Sequence, residues 1–387
     1  MLVIGLISLV FLAIVGLCAQ DIFNELLAPA LAPAVDARHA LPLVSVLIPA
    51  RNEAQRIGTC LAGLATHHYH RFEVIVVDDH STDATAAVVG DYARQLPMLA
   101  VVTSAALPAG WAGKCWACWQ ASAQARGEWL LFLDADVQPL AGLIGALVAY
   151  AERSGADAIT LMPLLRMGSI AERLLLPAFQ TILYGVYPLR LVSDPRSPIA
   201  FANGQVLFIR RTVYDATGGH QAVRGSVLED TDFGQRVKAA GYRLHAASAR
   251  DLVTVRMYDD WASTVEGLGK NAVAGYRSGG WRSGWVGFRQ ALIAFGPLYM
   301  LGAGAALWAN NPVMPLGPAT LAHGVVLLAI TVGVYGWLFR RRYQIAPLWA
   351  FGYPVGLLLY YALALRGLVH VRSGRGVRWK GRVLDGR

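Results

Sequence analysis

Charged residues and cysteine are both scarce in this sequence. Only 15% of its 387 residues are Asp, Glu, Lys or Arg, whereas about 25% is usual for a soluble domain, which argues against a purely soluble enzyme. Disorder is excluded as well, because 55% of the residues are hydrophobic and bury more surface than their ordering costs. The four cysteines are too few for a disulfide scaffold, so reduced thiols facing the cytoplasm are expected. Cys115 and Cys118 have the spacing of a redox or metal pair, but without a second pair or a His cluster their expected role is packing.

Acidic charge falls short of basic charge, 25 residues against 34, which gives a formal net charge of +9. All but four of the cations are Arg, a side chain that suits phosphates and anionic headgroups. Nucleic acid is the rival partner, but much of the excess lies at 340–342 and 366–387, beside apolar stretches where anionic lipid explains it. No recognised nucleic-acid motif is present, so we predict a membrane partner and no nucleic-acid partner.

Long apolar stretches lie at both ends of the chain. Residues 1–19 carry no charge, and about 19 residues at about 1.5 Å rise can cross a hydrocarbon core of about 30 Å. We therefore predict an N-terminal transmembrane anchor over 1–20; a cleaved signal peptide is the competing interpretation, but the basic start and the small-residue cleavage site are missing. A C-terminal transmembrane region is predicted over 286–370 and a basic tail over 371–387. Its apolar stretches lie near 288–309, 317–339 and 345–369.

The number of C-terminal crossings stays open at two to three. The run Arg340–Arg342 and the basic tail both favour the cytoplasmic side, yet one spanning helix between them would separate them, so one stretch could be re-entrant. The segment 170–192 is also ambiguous. It could lie in the membrane interface or form a buried helix of the soluble domain.

The region between the apolar ends, residues 40–285, has the composition of a globular domain. Short apolar runs at Val44–Ile48, Val74–Val77 and Leu130–Leu133 alternate with stretches that suit helices. This alternation predicts an α/β fold with a mostly parallel sheet covered on both faces.

Polar residues follow the first two predicted strands. Pro49, Arg51 and Glu53 come after the first strand, and Asp78 and Asp79 end the second. Ligands of open parallel sheets bind at the carboxyl ends of the strands, where the carboxylate of Asp79 could accept an N–H of a pyrimidine. Simple capping of the next helix by Asp78 is the equal alternative.

The third predicted strand stops at two acids, Asp134 and Asp136. On an extended chain, positions two apart point the same way, so both carboxylates are expected to face one spot. Such acids repel unless a cation lies between them, which predicts Mg²⁺ or Mn²⁺ held together with the pyrophosphate of a nucleotide.

A second acidic cluster, Glu229-Asp230-Thr231-Asp232, precedes a predicted helix. Acids at a helix start are common, because they complement the dipole and cap free N–H groups. Asp230 is the candidate general base, because sugar transfer to a hydroxyl requires a carboxylate that takes the acceptor's proton.

These four motifs in this order resemble glycosyltransferase family 2, with its GT-A fold, over roughly residues 43–275. Within the family, the sequence is most similar to membrane enzymes that glycosylate hydrophobic acceptors, namely carotenoid (chlorobactene and diaponeurosporenoate) and hopene-associated glycosyltransferases and, more distantly, ceramide glucosyltransferase. The similarity also rests on Leu107–Lys114, Ala202–Gln205, Arg210-Arg211, Gly218–His220, Arg256–Tyr258 and Glu266–Asn271.

The resemblance implies a role for each matching residue. Pro49, Arg51 and Glu53 would line the nucleotide pocket, and Asp79 would hold the uracil. Asp134 and Asp136 would bind the ribose and the metal, and Asp230 would be the base. Further residues expected at the donor site are Lys114, Asn203, Gly204, Glu229, Arg256 and Lys270. Lys114 would reach the donor's phosphates, unless it is a surface lysine, and Arg256 or Lys270 would steady the leaving diphosphate, unless they lie on a solvated face.

One departure from the family bears on the product. Chain-building synthases of this family carry a Gln-x-x-Arg-Trp motif after the base, and this sequence has none. We therefore expect an inverting, metal-dependent transfer of a single sugar, glucose from UDP-glucose, to a membrane lipid such as a carotenoid or hopanoid. A polyprenyl-phosphate or exopolysaccharide-pathway glycosyltransferase is the alternative, and a non-enzymatic nucleotide sensor a distant one. The expected location is the cell (inner) membrane, with several crossings and the catalytic domain in the cytoplasm.

Overall fold

A computed structural model of the chain describes residues 2–33, 41–96, 98–226, 228–372, 377–379 and 382–384. Packing divides the chain into two compact units. The helical unit comprises Met1–Leu27, Met167–Pro188 and Tyr258–Arg387, and the sheet unit comprises Ala28–Arg166 and Leu189–Met257. Packing and composition thus divide the chain differently between residues 258 and 285, and the sequence-based boundaries stay predictions.

The elements follow one another along the chain in two sets. The helices are α1 Leu2–Leu26, α2 Ile57–Ala65, α3 Thr85–Ala93, α4 Gly113–Gln124, α5 Leu143–Ser154, α6 Ile170–Val186, α7 Leu189–Ser193, α8 Arg211–Ala216, α9 Glu229–Ala239, α10 Trp261–Gly279, α11 Trp281–Asn310, α12 Leu316–Tyr343 and α13 Tyr353–Arg372, with 3₁₀ helices at Gly219–Val223 and Pro347–Gly352. The strands are β1 Val44–Ala50, β2 Phe72–Asp78, β3 Leu99–Thr103, β4 Trp129–Leu133, β5 Val137–Pro139, β6 Ala158–Met162, β7 Leu164–Leu165, β8 Val206–Arg210, β9 Leu244–Ser248, β10 Val253–Val255, β11 Val377–Trp379 and β12 Arg382–Leu384.

A seven-stranded sheet in the order β3-β2-β1-β4-β8-β6-β9 forms the core of the sheet unit. The three strands predicted from apolar runs are confirmed as β1, β2 and β4, which are almost wholly buried because both faces of the sheet are covered. The sheet is mostly parallel but mixed, because β8 runs antiparallel to both β4 and β6. Three short strands form a smaller sheet in the order β5-β10-β7, and β5 begins directly after the acid pair.

The helical unit contains helices that are long and apolar enough to cross a membrane. Five such segments occur in the described part of the chain: Val3–Leu26, Ile170–Ser193, Trp281–Asn310, Leu316–Tyr343 and Pro347–His370. Large apolar side chains stand exposed on them, Leu9 at 64% and Leu365 at 64%, a surface that lipid covers in a membrane protein. One N-terminal and several C-terminal helices are therefore consistent with membrane association. Within the ambiguous segment 170–192, α6 belongs to the helical unit, and its interfacial placement stays a prediction.

The first helix is longer than the predicted anchor and contains two buried acids. Helix α1 continues past residue 20 to Leu26 and carries Asp21 and Glu25, which are 6% and 8% exposed. Asp21 pairs with Arg289 of α11 and accepts a hydrogen bond from the Tyr335 hydroxyl at 2.9 Å. The helix therefore extends beyond the predicted anchor, because charges on distant helices neutralise its acids.

The arginine run at 340–342 is partly buried for the same reason. Arg342 donates to Glu25 at 2.7 Å and Arg341 does so at 3.2 Å. Pairing with α1 therefore contributes to the position of these two arginines. Of the predicted basic tail, only Val371, Arg372, β11 and β12 fall within the described residues.

Candidate active site

The turns after β1 and β2 are joined by polar contacts. Arg51 donates from Nη1 to the backbone carbonyl of Asp79 at 3.0 Å and to its Oδ2 at 3.3 Å, and Asp79 is buried. Asn52 and His80 have φ angles of 54° and 53°, a left-handed conformation that Asn tolerates better than most residues. Asp78 instead accepts hydrogen bonds from the amide and hydroxyl of Ser81. The turn-stabilising role thus falls to Asp78, while Asp79 lies against Arg51.

The acid pair lies in a turn between β4 and β5. The amide of Val137 donates to the carbonyl of Asp134 at 3.1 Å, so the expectation of an extended chain at these two acids is wrong. The two acids thus lie in a turn and not on one face of a strand. Burial, together with the negative charges of Asp134 and Glu53, raises the pKa of Asp136 to about 7.

Asp136 has one buried carboxylate oxygen, Oδ1, without a hydrogen-bond partner among the described residues. Such an atom is costly to leave unpaired unless a ligand or ion satisfies it. Asp134 and Asp136 are therefore the residues that could hold Mg²⁺ or Mn²⁺ through oxygen ligands. No cluster of three or more metal-binding side chains occurs in the described part of the chain, so the remaining ligands would have to come from a diphosphate or from water.

Lys114 connects the two acidic clusters. It lies in the first turn of α4, and its Nζ is 2.7 Å from Asp134 Oδ1 and 3.2 Å from Glu229 Oε1. Burial lowers the pKa of this ammonium, but Asp134, Glu229 and Asp230 together raise it well above its ordinary value. The side chain is 36% exposed, but its two ion pairs hold it at the centre of the site. Because its pKa is raised, Lys114 stays charged there and is not an isolated surface lysine.

Asp230 is held by two backbone amides at the start of α9. Its Oδ2 accepts from the Gly204 amide at 2.7 Å, and its Oδ1 accepts from the Thr231 amide at 2.7 Å. Burial and the neighbouring charge of Glu229 raise its pKa to about 6, against the opposing effect of Lys114 and the two amides. The carboxylate is thus fixed in position and poised to accept a proton near neutral pH.

Gly204 allows this close approach. A Cβ atom at this position would lie 2.8 Å from Lys114 Nζ and 3.0 Å from Asp230 Oδ2. Asn203, beside it, donates from its side-chain amide to the Leu161 carbonyl at 3.0 Å and to Gln205 Oε1 at 3.0 Å. Asn203 therefore holds the loop that presents Gly204.

A small cavity of about 20 Å³ brings most of these groups together. Predicted residues that line it are Pro49, Lys114, Asp134, Gly204, Glu229 and Asp230. Arg51, Glu53, Asp79 and Asp136 are not among its lining residues, although Glu53 and Asp136 influence each other electrostatically.

The two predicted diphosphate contacts are less defined. Arg256 is exposed and follows β10, whose antiparallel register pairs Val255 with Val137 and so brings the backbone of Arg256 beside that of Asp136. Lys270 belongs to α10, but its side chain lies outside the described residues.

The structure adds His220 to the site, a residue to which the sequence assigned no role. His220 is buried, lines the cavity, stacks on Phe233 at 5.7 Å and shares a 2.9 Å hydrogen bond with the Tyr214 hydroxyl. Burial lowers its pKa to about 4, so the ring is neutral. In the sequence, Gly218–His220 stand out only as part of the family resemblance, and nothing there shows that the ring is buried. Gly219, beside it, has a φ of 51° and closely contacts Tyr214, so this position requires glycine. Cys118 also lines the cavity, and both it and Cys115 are buried free thiols, as packing requires.

The chain is similar in sequence to known proteins. Residues 45–218 match the family described as glycosyl transferase family 2. The 4,4'-diaponeurosporenoate glycosyltransferase of Staphylococcus haemolyticus (strain JCSC1435) is 25% identical over 238 residues, which span 61% of this chain and 62% of that protein. The protein of the same name from Staphylococcus aureus (strain MRSA252) is 24% identical over 347 residues, which span 88% of this chain and 87% of that protein.

A solved structure shares the fold. Mannosyltransferase PcManGT from Pyrobaculum calidifontis, in complex with GDP-Man and Mn2+, superposes with a TM-score of 0.53 at 17% identity and covers 94% of this chain and 98% of its own. The match of residues 45–218 confirms the resemblance to family 2, and the shared fold confirms the expected GT-A fold. The chain therefore carries a glycosyltransferase family 2 domain on a GT-A-like fold, and it is a glycosyltransferase.

Proposed function

We propose that this glycosyltransferase moves a single glucose from UDP-glucose, with inversion, to a hydroxyl or carboxyl group of a hydrophobic membrane lipid such as a carotenoid or hopanoid. The observation that carries the proposal is the Asp230 carboxylate, fixed by two amides beside the Lys114–Asp134 pair in one cavity. The acceptor class is supported by relatives named for a carotenoid acid and by the long apolar helices.

The donor would be held by its base and by its phosphates. Asp79, oriented by Arg51, offers a carboxylate to a uracil N–H at the edge of the sheet. Lys114 offers a cation to the diphosphate, and Arg256 is a second candidate beside Asp136. A divalent ion at Asp134 and Asp136 would neutralise the charge on the departing UDP when bound. The unpartnered oxygen of Asp136 fits that ion.

Asp230 would act as the general base. It accepts the proton of the acceptor's hydroxyl while that oxygen forms a bond to the anomeric carbon and the bond from this carbon to UDP breaks. Attack from the face opposite UDP inverts the anomeric configuration. A carboxyl acceptor is already ionised near neutral pH and would depend on Asp230 less than a hydroxyl would.

Membrane attachment would bring the enzyme to its acceptor. A lipid substrate is confined to the bilayer, and the exposed apolar helices would keep the protein in the same layer. The sheet unit would face the cytoplasm, where its buried free thiols remain reduced.

The Asp230→Asn substitution tests this assignment. In full-length protein supplied with UDP-glucose and a membrane lipid that carries a hydroxyl group, the variant should lose about 10² to 10⁴ in transfer rate, because general-base help is removed. UDP binding should change little. Asp232→Asn is the matched control, because Asp232 lies in the same helix turn and its carboxylate accepts a hydrogen bond from the Ser226 hydroxyl.

Release of UDP and formation of a glycosylated lipid are both measured. If the transfer rate of Asp230→Asn stays within about tenfold of the rate of the unmodified enzyme, Asp230 is not the base, because removal of a base lowers the rate more than this. Undiminished transfer to a polyprenyl phosphate would then favour an acceptor that is already ionised.

A further inference from the structure

The helical unit contains a second, larger cavity, which is partly open to the surface of the unit. Its volume is about 430 Å³, within the range of small-molecule sites, which begins at about 300 Å³. Side chains of α6, α10, α11 and α13 line it, and all of them belong to the helical unit. The cavity is therefore a feature of this unit alone.

The lining of this cavity is apolar. None of the described residues that line it is charged. The Tyr361 hydroxyl donates to the Gly287 carbonyl at 2.5 Å, and the Ser283 hydroxyl donates to the Gly275 carbonyl at 3.2 Å. Since these hydroxyls already have partners within the protein, the walls favour a hydrocarbon over a sugar or a phosphate.

Glycines of α11 keep the cavity open. A Cβ atom at Gly284 would meet nothing within 4 Å, and one at Gly287 would meet only the Tyr361 ring and hydroxyl at 3.8–3.9 Å. Gly304, further along α11, is different, because its Cβ would lie 2.4 Å from the backbone of Leu321 in α12. The missing side chain of Gly304 thus permits close packing of two helices, whereas the missing side chain of Gly284 leaves space in the cavity.

Aromatic rings form part of the wall. Phe179, Phe288, Tyr360 and Tyr361 contribute to the lining, and Phe179 and Tyr360 are themselves 5.9 Å apart. Flat rings contact a long unsaturated chain favourably. The walls therefore suit an extended, unsaturated hydrocarbon better than a compact polar ligand.

We infer that this cavity binds the hydrocarbon chain of the lipid acceptor. The inference rests on the proposed function and adds to it the place where the acceptor's chain is held.

The test uses a long-chain polyunsaturated alcohol that carries a photoreactive diazirine near its methyl end, with full-length protein in detergent. Crosslinked peptides are identified by mass spectrometry. Gly284→Leu and, separately, Ala364→Leu place a side chain in the cavity from α11 and α13. Gly302→Leu is the matched control, because Gly302 is exposed on α11 and a Cβ there meets nothing within 4 Å. Leu also has a higher helix propensity than Gly, so folding is preserved.

We expect crosslinks in cavity-lining peptides of α6, α11 and α13. Each methylene group of the alcohol that is displaced from the cavity weakens binding roughly fourfold. Gly284→Leu should therefore weaken labelling at least about tenfold, and Gly302→Leu should leave it unchanged. Labelling spread over the exposed helix faces, or equal in all variants, would overturn the assignment. Displacement by phosphatidylglycerol as readily as by the unlabelled alcohol would also overturn it, because the cavity would then hold a resident phospholipid.

A second readout separates this inference from the proposed transfer. Asp230→Asn should leave the labelling unchanged. If the unmodified protein is labelled in the cavity but transfers no glucose to lipid, the proposed function is overturned and the chain-binding site stays in place. Transfer that continues in Gly284→Leu with an unchanged KM for lipid would refute the cavity's role and leave the proposed function intact.

Discussion

One cation, Lys114, sets the electrostatics of the candidate active site. It contacts Asp134 and Glu229, and it lowers the pKa of Asp230 while burial and Glu229 raise it. The result is a carboxylate that stays ionised at neutral pH yet accepts a proton more readily than an exposed acid would. His220, the buried neutral ring nearby, adds no charge to this balance.

The pH dependence of transfer follows from Asp230. Because burial and Glu229 raise its pKa to about 6, the ionised base is present above that pH and is lost as the pH falls through it. The maximal transfer rate at saturating donor should drop about tenfold for each pH unit below about 6. A rate that stays flat down to about pH 5, or a step that persists in Asp230→Asn, would contradict the assignment.

Gly204→Ala tests the close packing around the base. Its Cβ would press on Lys114 Nζ at 2.8 Å and on Asp230 Oδ2 at 3.0 Å, so both groups must shift. Displaced reacting groups cost up to about 10² in rate. Gly90→Ala is the control, since Gly90 lies in α3 and a Cβ there meets nothing within 4 Å. Steady-state kinetics of both variants decide, and equal rates would show that the packing at Gly204 is not needed.

At the scale of elements, local sequence predicted what local physics determines. The strands β1, β2 and β4 were predictable because buried parallel strands read as short apolar runs. The antiparallel insertion of β8 was not, because the partner of a strand depends on the path of the chain between them. The turn at Asp134–Asp136 was missed for a different reason. An apolar run that ends at two acids does not show where the strand stops, and the Val137 amide closes a turn onto the Asp134 carbonyl.

The extent of α1 shows the same limit. The predicted anchor stopped at residue 20, before Asp21 and Glu25, yet both acids lie inside the helix, where they pair with α11 and α12 from the other end of the sequence. His220 was likewise beyond sequence reasoning, since burial of a neutral ring depends on Tyr214 and Phe233, which fold around it.

At the scale of the whole molecule, a buried polar network ties the helical unit together. Arg289 and Asp21 form its ion pair, Gln290 donates to Asp21 at 3.2 Å, and Tyr353 donates to Gln290 at 2.8 Å. Helices α1, α11, α12 and α13 all contribute through these residues and Tyr335. The network therefore fixes the N-terminal helix against the C-terminal helices of the same unit.

Arg289→Met should destabilise this unit. It leaves the buried Asp21 carboxylate without its cation, a change that costs about 3–5 kcal/mol when one partner of a buried pair is removed. The midpoint of thermal unfolding in detergent should fall, whereas Arg366→Met, at an exposed position of α13, should leave it nearly unchanged. The double variant Asp21→Asn with Arg289→Met should recover part of the loss in the unfolding midpoint. If Arg289→Met alone unfolds at the same midpoint as the unmodified protein, the network does not stabilise the unit.

The central claim is that Asp134 and Asp136 hold a divalent ion together with the diphosphate of the donor. Calorimetric titration of UDP into the full-length protein, with and without Mn²⁺, tests it most directly. We predict that Mn²⁺ tightens UDP binding at least about tenfold, and that Asp136→Asn loses this gain while the exposed-site variant Asp215→Asn keeps it. UDP binding that is equal with and without Mn²⁺, or a gain that survives in Asp136→Asn, would contradict the account.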